Sequence, residues 1–113
     1  MNQTLKAVII EVTGGNIRNH HINLRGAFGL FPGDAFGGAN EDVSATPISL
    51  RAGSETVETD IDETKAIFRK RGIIRRFFEA EGVVEGDLLM VERIDPRTYC
   101  LSKVSKRVFN NYL

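Results

Sequence analysis

The chain has 113 residues, 42% of them apolar and 27% charged, and fifteen Lys plus Arg balance fifteen Asp plus Glu. That length suits one domain with a modest core, and the mixture excludes both a disordered tail and a membrane-spanning helix, which needs roughly twenty consecutive apolar residues. The zero net charge excludes a protein that coats any polyanion indiscriminately.

The apolar runs are short, as in Ala7-Val8-Ile9-Ile10, and this one meets Glu11 too soon for a signal peptide. A single cysteine, Cys100, rules out an internal disulfide framework and fits a cytoplasmic protein. Together with only two histidines, His20 and His21, it cannot supply a structural zinc site.

Residues 5–12 are apolar and β-branched, the pattern of a buried strand. Thr13-Gly14-Gly15-Asn16 reads as a turn or loop. Between His20 and Arg25, Ile22 and Leu24 alternate with polar neighbours, which predicts a half-buried strand. The glycine-rich stretch from Gly26 to Asn40 holds a short helix or turn over Leu30 to Phe36, with Phe31 and Phe36 pointing inward. Gly37-Gly38-Ala39-Asn40 ends it, Ser44 to Thr46 is loop, and Ile48-Ser49-Leu50 alternates as a strand.

Ala52-Gly53-Ser54 turns the chain, after which Val57, Thr59 and Ile61 alternate with acidic residues as a further strand. Asp62-Glu63-Thr64 connects as a hairpin into Ala66-Ile67-Phe68-Arg69, which Gly72 breaks. Ile73, Ile74, Phe77 and Phe78 then form one face of a helix that Gly82 closes. Gly86-Asp87 leads into a strand from Leu88 to Ile94. Asp95-Pro96 opens a turn, and Tyr99 and Leu101 lie on a last strand. About seven short strands and two helices predict a mainly β domain, a seven-stranded open β-barrel. The domain spans residues 1–104, and residues 105–113 form a basic C-terminal tail.

The neutral total is a sum of blocks. Residues 41–63 carry seven acids and only Arg51; residues 64–76 carry Lys65, Arg69, Lys70, Arg71, Arg75 and Arg76 without an acid. Six positive charges over thirteen residues make an electrostatic footprint for phosphate, or else the two blocks lie side by side and neutralise each other. Strand alternation allows two of Arg69, Lys70 and Arg71 to face one partner, with Arg69 and Arg71 the pair. Arg75 and Arg76 open a helix, where the dipole disfavours positive charge, so a phosphate near that end would explain them, as would plain surface with an Arg75–Glu79 pair.

The loop from Thr13 to His20 presents Asn16, Arg18, Asn19 and His20, side chains able to read bases, or an ordinary surface loop. Glu63-Thr64-Lys65 with Asp34 upstream has the residue types of a Mg²⁺-dependent nuclease, in a domain small for that chemistry. No nucleophile motif, phosphate loop or nucleotide-binding βαβ unit is present, and no cofactor is expected.

The stretch Ile73-Ile74-Arg75-Arg76-Phe77-Phe78-Glu79-Ala80-Glu81-Gly82, followed by Gly86-Asp87 and the apolar strand Leu88 to Ile94, resembles the end of the DNA-binding pseudobarrel superfamily. That superfamily includes the plant B-three transcription-factor domain and the DNA-reading domains of some bacterial restriction endonucleases. Ile22-Asn23-Leu24 with Phe31-Pro32-Gly33-Asp34-Ala35-Phe36 is similar to its early strand and proline-started helix. The likeness covers roughly residues 5–104.

The resemblance implies a non-catalytic, sequence-specific binder of double-stranded DNA that grips the major groove with two arms. One arm is Asn16, Arg18, Asn19 and His20. The other runs from Thr59 to Arg71, with Asp60, Asp62, Lys65, Arg69 and Arg71; a carboxylate there can accept from cytosine N4. Lys70, Arg75 and Arg76 would hold phosphates. A nuclease or methyltransferase partner from a restriction-modification or regulatory system is implied. The alternatives are a protein-interaction module working through the acidic segment 41–63, or the small nuclease of Asp34, Glu63 and Lys65.

Overall fold

Strands form where one side chain in two can enter a core. The computed structural model describes residues 6–38 and 45–105, and over these the chain makes eight strands. They are β1 (Ala7–Glu11), β2 (Phe36–Gly37), β3 (Ile48–Ala52), β4 (Glu55–Thr59), β5 (Ile61–Asp62), β6 (Ile67–Phe68), β7 (Leu88–Asp95) and β8 (Thr98–Val104). Five of them form a sheet in the order β1-β7-β8-β3-β4, in which only the β3–β8 pair is parallel. The other three form a small sheet in the order β2-β5-β6. Two helices, α1 (Gly14–Asn19) and α2 (Gly72–Glu81), and two 3-10 turns, Arg25–Leu30 and Gly33–Ala35, complete the order. The architecture is mixed α+β and mostly sheet.

This departs from the expected seven-stranded barrel, because the two sheets do not close on each other. The run Val57, Thr59, Ile61 alternates only as far as Thr59: Asp60 and Asp62 are buried as well, and the chain passes from one sheet to the other at Asp60. There the Thr59 hydroxyl donates to the Asp60 carbonyl at 2.8 Å, and the Arg69 N–H reaches the same carbonyl at 2.9 Å. The second bond falls on the register of the β5–β6 pair, so Asp60 already belongs to the small sheet's side of the junction.

Two other segments differ from expectation. Residues 14–19 are helical, and the expected strand from His20 to Arg25 has no ladder partner among the described residues. Ile22 and Leu24 are fully buried as the alternation required. The Asn23 side chain accepts from the Arg25 N–H at 2.9 Å, a local bond that bends the chain into the first 3-10 turn.

One core joins the layers. Leu50, Leu89, Val91, Tyr99 and Leu101 from the large sheet meet Ile61 and Phe68 from the small one. Ile73, Ile74, Phe77 and Phe78, the expected apolar face of α2, close that core. Phe31 is buried and stands edge-on to Phe68, whereas Phe36 is half-buried at the margin. The Tyr99 hydroxyl reaches the carbonyls of Leu30 and Pro96 at 3.0 and 3.1 Å, tying the 3-10 turn to the β7–β8 connection. Among the described residues no helix is long and apolar enough to cross a membrane. Leu5, the residues 39–44 that include the acids Glu41 and Asp42, and the basic tail with Lys106 and Arg107 lie outside the described residues.

Candidate nucleic-acid interface

The first arm is a capped helical turn. Thr13 is extended at the N-cap of α1, its hydroxyl accepts from the Asn16 N–H at 3.1 Å, and the Asn16 side chain accepts in return from the Thr13 N–H at 2.9 Å. This reciprocal box satisfies two donors that a helix start otherwise leaves open. It stabilises a helix across Gly14-Gly15, whose own propensity is poor. Asn16 is thereby buried and withdrawn from any partner. The helix ends at His20 in the left-handed region, φ 55° and ψ 47°. A non-glycine residue is strained there, and the turn leaves the His20 side chain exposed.

The second arm is the β5–β6 hairpin and its exit into α2. The Asp62 carboxylate accepts from the Lys65 N–H at 3.0 Å, and its carbonyl accepts from the Ala66 N–H at 2.7 Å. Asp62 is buried and shapes the turn. Ala66 has φ 60°, and its carbonyl accepts from the Leu24 N–H at 2.7 Å. That bond fixes the tip of the hairpin to the segment leaving α1. A second tie is made by Arg71, whose Nη1 reaches the Asn19 carbonyl at 3.4 Å.

Between the arms lies a cavity of about 310 Å³ lined by Arg18, Asn19, His20, Arg71, Gly72 and Arg75. Three guanidinium groups line it and no carboxylate does. Arg75 also reaches Glu79 at 3.4 Å along the helix, an exposed pair of small energetic weight. His21 follows His20 in the chain and feels the charge of Arg71. Burial foremost, then the nearby charges of Arg71 and Lys65, lowers its pKa below the ordinary 6.5. Its Nδ1 is buried without a hydrogen-bond partner among the described residues. His21 was not among the candidate residues; its only signal in the sequence is its place next to His20.

The structure separates the other candidates from this cavity. Asp60 is 5% exposed and accepts from Arg69 Nε at 2.7 Å, Arg69 Nη2 at 3.0 Å and the Ala45 N–H at 3.0 Å. Arg69 also donates to the Gly38 carbonyl at 2.7 Å. Neither side chain is available to read a base, and Arg69 does not pair with Arg71 across one strand face. The strand stops at Phe68 and Arg71 already caps α2, so the expected alternation ends there. Arg76 grips Glu55 at the start of β4, at 2.7 and 3.0 Å. Lys70 is exposed beside a different hollow, with Arg69, Asp60 and Glu58, and Lys65 is exposed on the hairpin. Asp34 is ion-paired with Arg97 at 2.9 Å. Among the described residues no group of three or more His, Cys, Asp or Glu side chains is arranged to hold a metal ion.

No protein-family model and no curated protein matches the chain. Among solved structures, the N-terminal domain of Helicobacter pylori LlaJI.R1 is similar, with a TM-score of 0.61 over 96% of this chain and 98% of that one. The two share a fold. At 14% identity the likeness extends to the fold alone.

Proposed function

We propose that the chain is a double-stranded-DNA-binding module of the pseudobarrel type, without catalytic activity of its own. The observation that carries this reading is the convergence of Arg18, Asn19, His20, Arg71 and Arg75 from two separate segments on one cationic cavity. Phosphate oxygens suit such a site, because guanidinium groups bind them bidentately and release condensed counterions. In this reading Arg18, Arg71 and Arg75 hold the backbone, Lys65 and Lys70 add outer charge, and Asn19 and His20 meet base edges. A nuclease or methyltransferase of a restriction-modification or regulatory system is the partner class such a module would serve.

The test is an anisotropy titration against short random duplexes and a single strand at two salt concentrations. Duplex binding should weaken steeply with salt, with a log–log slope of about −3 if three phosphates are neutralised. Absence of binding at low salt, or binding indifferent to salt, would sink the proposal.

A further inference from the structure

We infer that two copies of this chain associate edge to edge through β1. Among the described residues β1 is an edge of the large sheet, with β7 as its one ladder partner. The carbonyl of Lys6 accepts from the Arg93 N–H, and the N–H of Val12 donates to the Asp87 carbonyl. In an antiparallel pair the direction alternates, so Val8 and Ile10 also address β7 while Ala7, Ile9 and Glu11 point their main-chain groups outward. Among the described residues no hydrogen bond to those outward groups exists. Natural proteins blunt such an edge with charge, proline or a bulge, and the middle of β1 carries none of these. It carries Ile9, 37% exposed and one of three exposed large apolar side chains among the described residues.

The edge is self-complementary. Ala7, Ile9 and Glu11 are symmetric about Ile9, so a two-fold axis through that residue pairs Ile9 with Ile9 of the second copy and Ala7 with its Glu11. All three pairs are then of the hydrogen-bonded kind, giving six main-chain bonds and an isologous interface. No like charges stand opposite each other in that register. Ile9 lies opposite Met90 in the existing ladder, so the row Met90–Ile9 continues into Ile9–Met90 of the second copy. The far edge, β4, places the exposed Glu58 and the Arg76-bound Glu55 along its length, and like charges there oppose further addition. Assembly therefore closes at two copies, with one ten-stranded sheet built from the two five-stranded ones. α1 begins just past Glu11, so on the DNA-binding reading two interfaces leave opposite ends of the new ribbon, the symmetry of a palindromic target.

The experiment is cysteine crosslinking in the full chain, with Cys100→Ser as background. At a hydrogen-bonded pair the Cα atoms stand about 5.5 Å apart, a separation a disulfide accepts. Ile9→Cys should form a covalent dimer under mild oxidation at least tenfold faster than Val84→Cys, although Val84 is the more exposed at 59%. Sedimentation of the parent chain should show a dimer that Ile9→Lys converts to monomer with its circular dichroism unchanged. A parent that stays monomeric at its highest attainable concentration would overturn the inference. Crosslinking through Ile9→Cys no faster than through Val84→Cys would do the same.

Discussion

Arg69 and Asp60 face each other across the junction of the two sheets, joined by bonds of 2.7 and 3.0 Å with little solvent between them. A strongly basic block thus contributes one of its charges to the interior. Removing one partner strands the other, and breaking a buried pair costs about 3–5 kcal/mol. Asp60→Ala should lower the unfolding free energy by roughly that amount in a urea titration. The double change Asp60→Leu with Arg69→Met should recover much of the loss, since it leaves no uncompensated charge.

Stability should depend on pH in two separate windows. Burial alone would raise the Asp60 pKa, but the Arg69 side chain, the Ala45 N–H and the Arg69 charge outweigh it and hold the group below its ordinary 3.8. The unfolded chain binds that proton more readily, so this contribution is complete above 3.8 and is lost as pH falls through the folded value. His21 is lowered from 6.5 by burial and by Arg71 and Lys65, so stability also declines as pH drops below 6.5. Thermal melts between about pH 8 and pH 5 should show this fall, and His21→Gln should flatten it.

The arm around α1 depends on its cap. Thr13→Ala removes the hydroxyl that accepts from Asn16, and Asn16→Ala removes the reciprocal acceptor. Each should cost about 1 kcal/mol of stability by denaturant titration. On the proposed function each should also weaken duplex binding, although Asn16 itself is buried, because Arg18 and His20 take their positions from this turn.

Arginines of one short block should divide sharply in a binding assay. Arg71→Ala and Arg75→Ala, like Arg18→Ala, remove cations from the shared cavity. Each should weaken binding to all duplexes alike and reduce the salt slope by about 1. Arg76→Ala, which loses only the Glu55 pair, should leave the slope unchanged. Equal effects at Arg75 and Arg76 would refute the placement of the interface.

Gly82 ends α2 at φ 61°, and its N–H reaches the carbonyls of Phe78 and Glu79. A methyl group there would meet nothing within 4 Å, so Gly82→Ala tests backbone strain without a clash. A loss of about 1–2 kcal/mol is expected from the left-handed conformation alone, read as a lowered denaturation midpoint.

The parts legible in the sequence are those set by local rules. The apolar spacing of Ile73, Ile74, Phe77 and Phe78 gave both the helix and its buried face, with Gly82 as its end. Gly86-Asp87 and Asp95-Pro96 bracketed β7. The helix α1 was hidden because two glycines dominate the local signal, while the stabilising box acts between Thr13 and Asn16. The strands expected of one open barrel fall into two sheets that part at Asp60, because alternation reports which side of a strand is buried and not which sheet the strand joins.

By itself the sequence determined most of the apolar side chains that enter the core, where much of the chain turns, and that positive charge gathers between residues 64 and 76. Only the tertiary structure decided how that charge is divided. Arg69 goes inward to Asp60, Arg76 goes to Glu55, and Arg71 and Arg75 meet Arg18 and His20. The reason is physical: a charge block fixes the amount of charge, whereas the direction of each guanidinium depends on carboxylates and carbonyls many residues away, which only folding brings within reach.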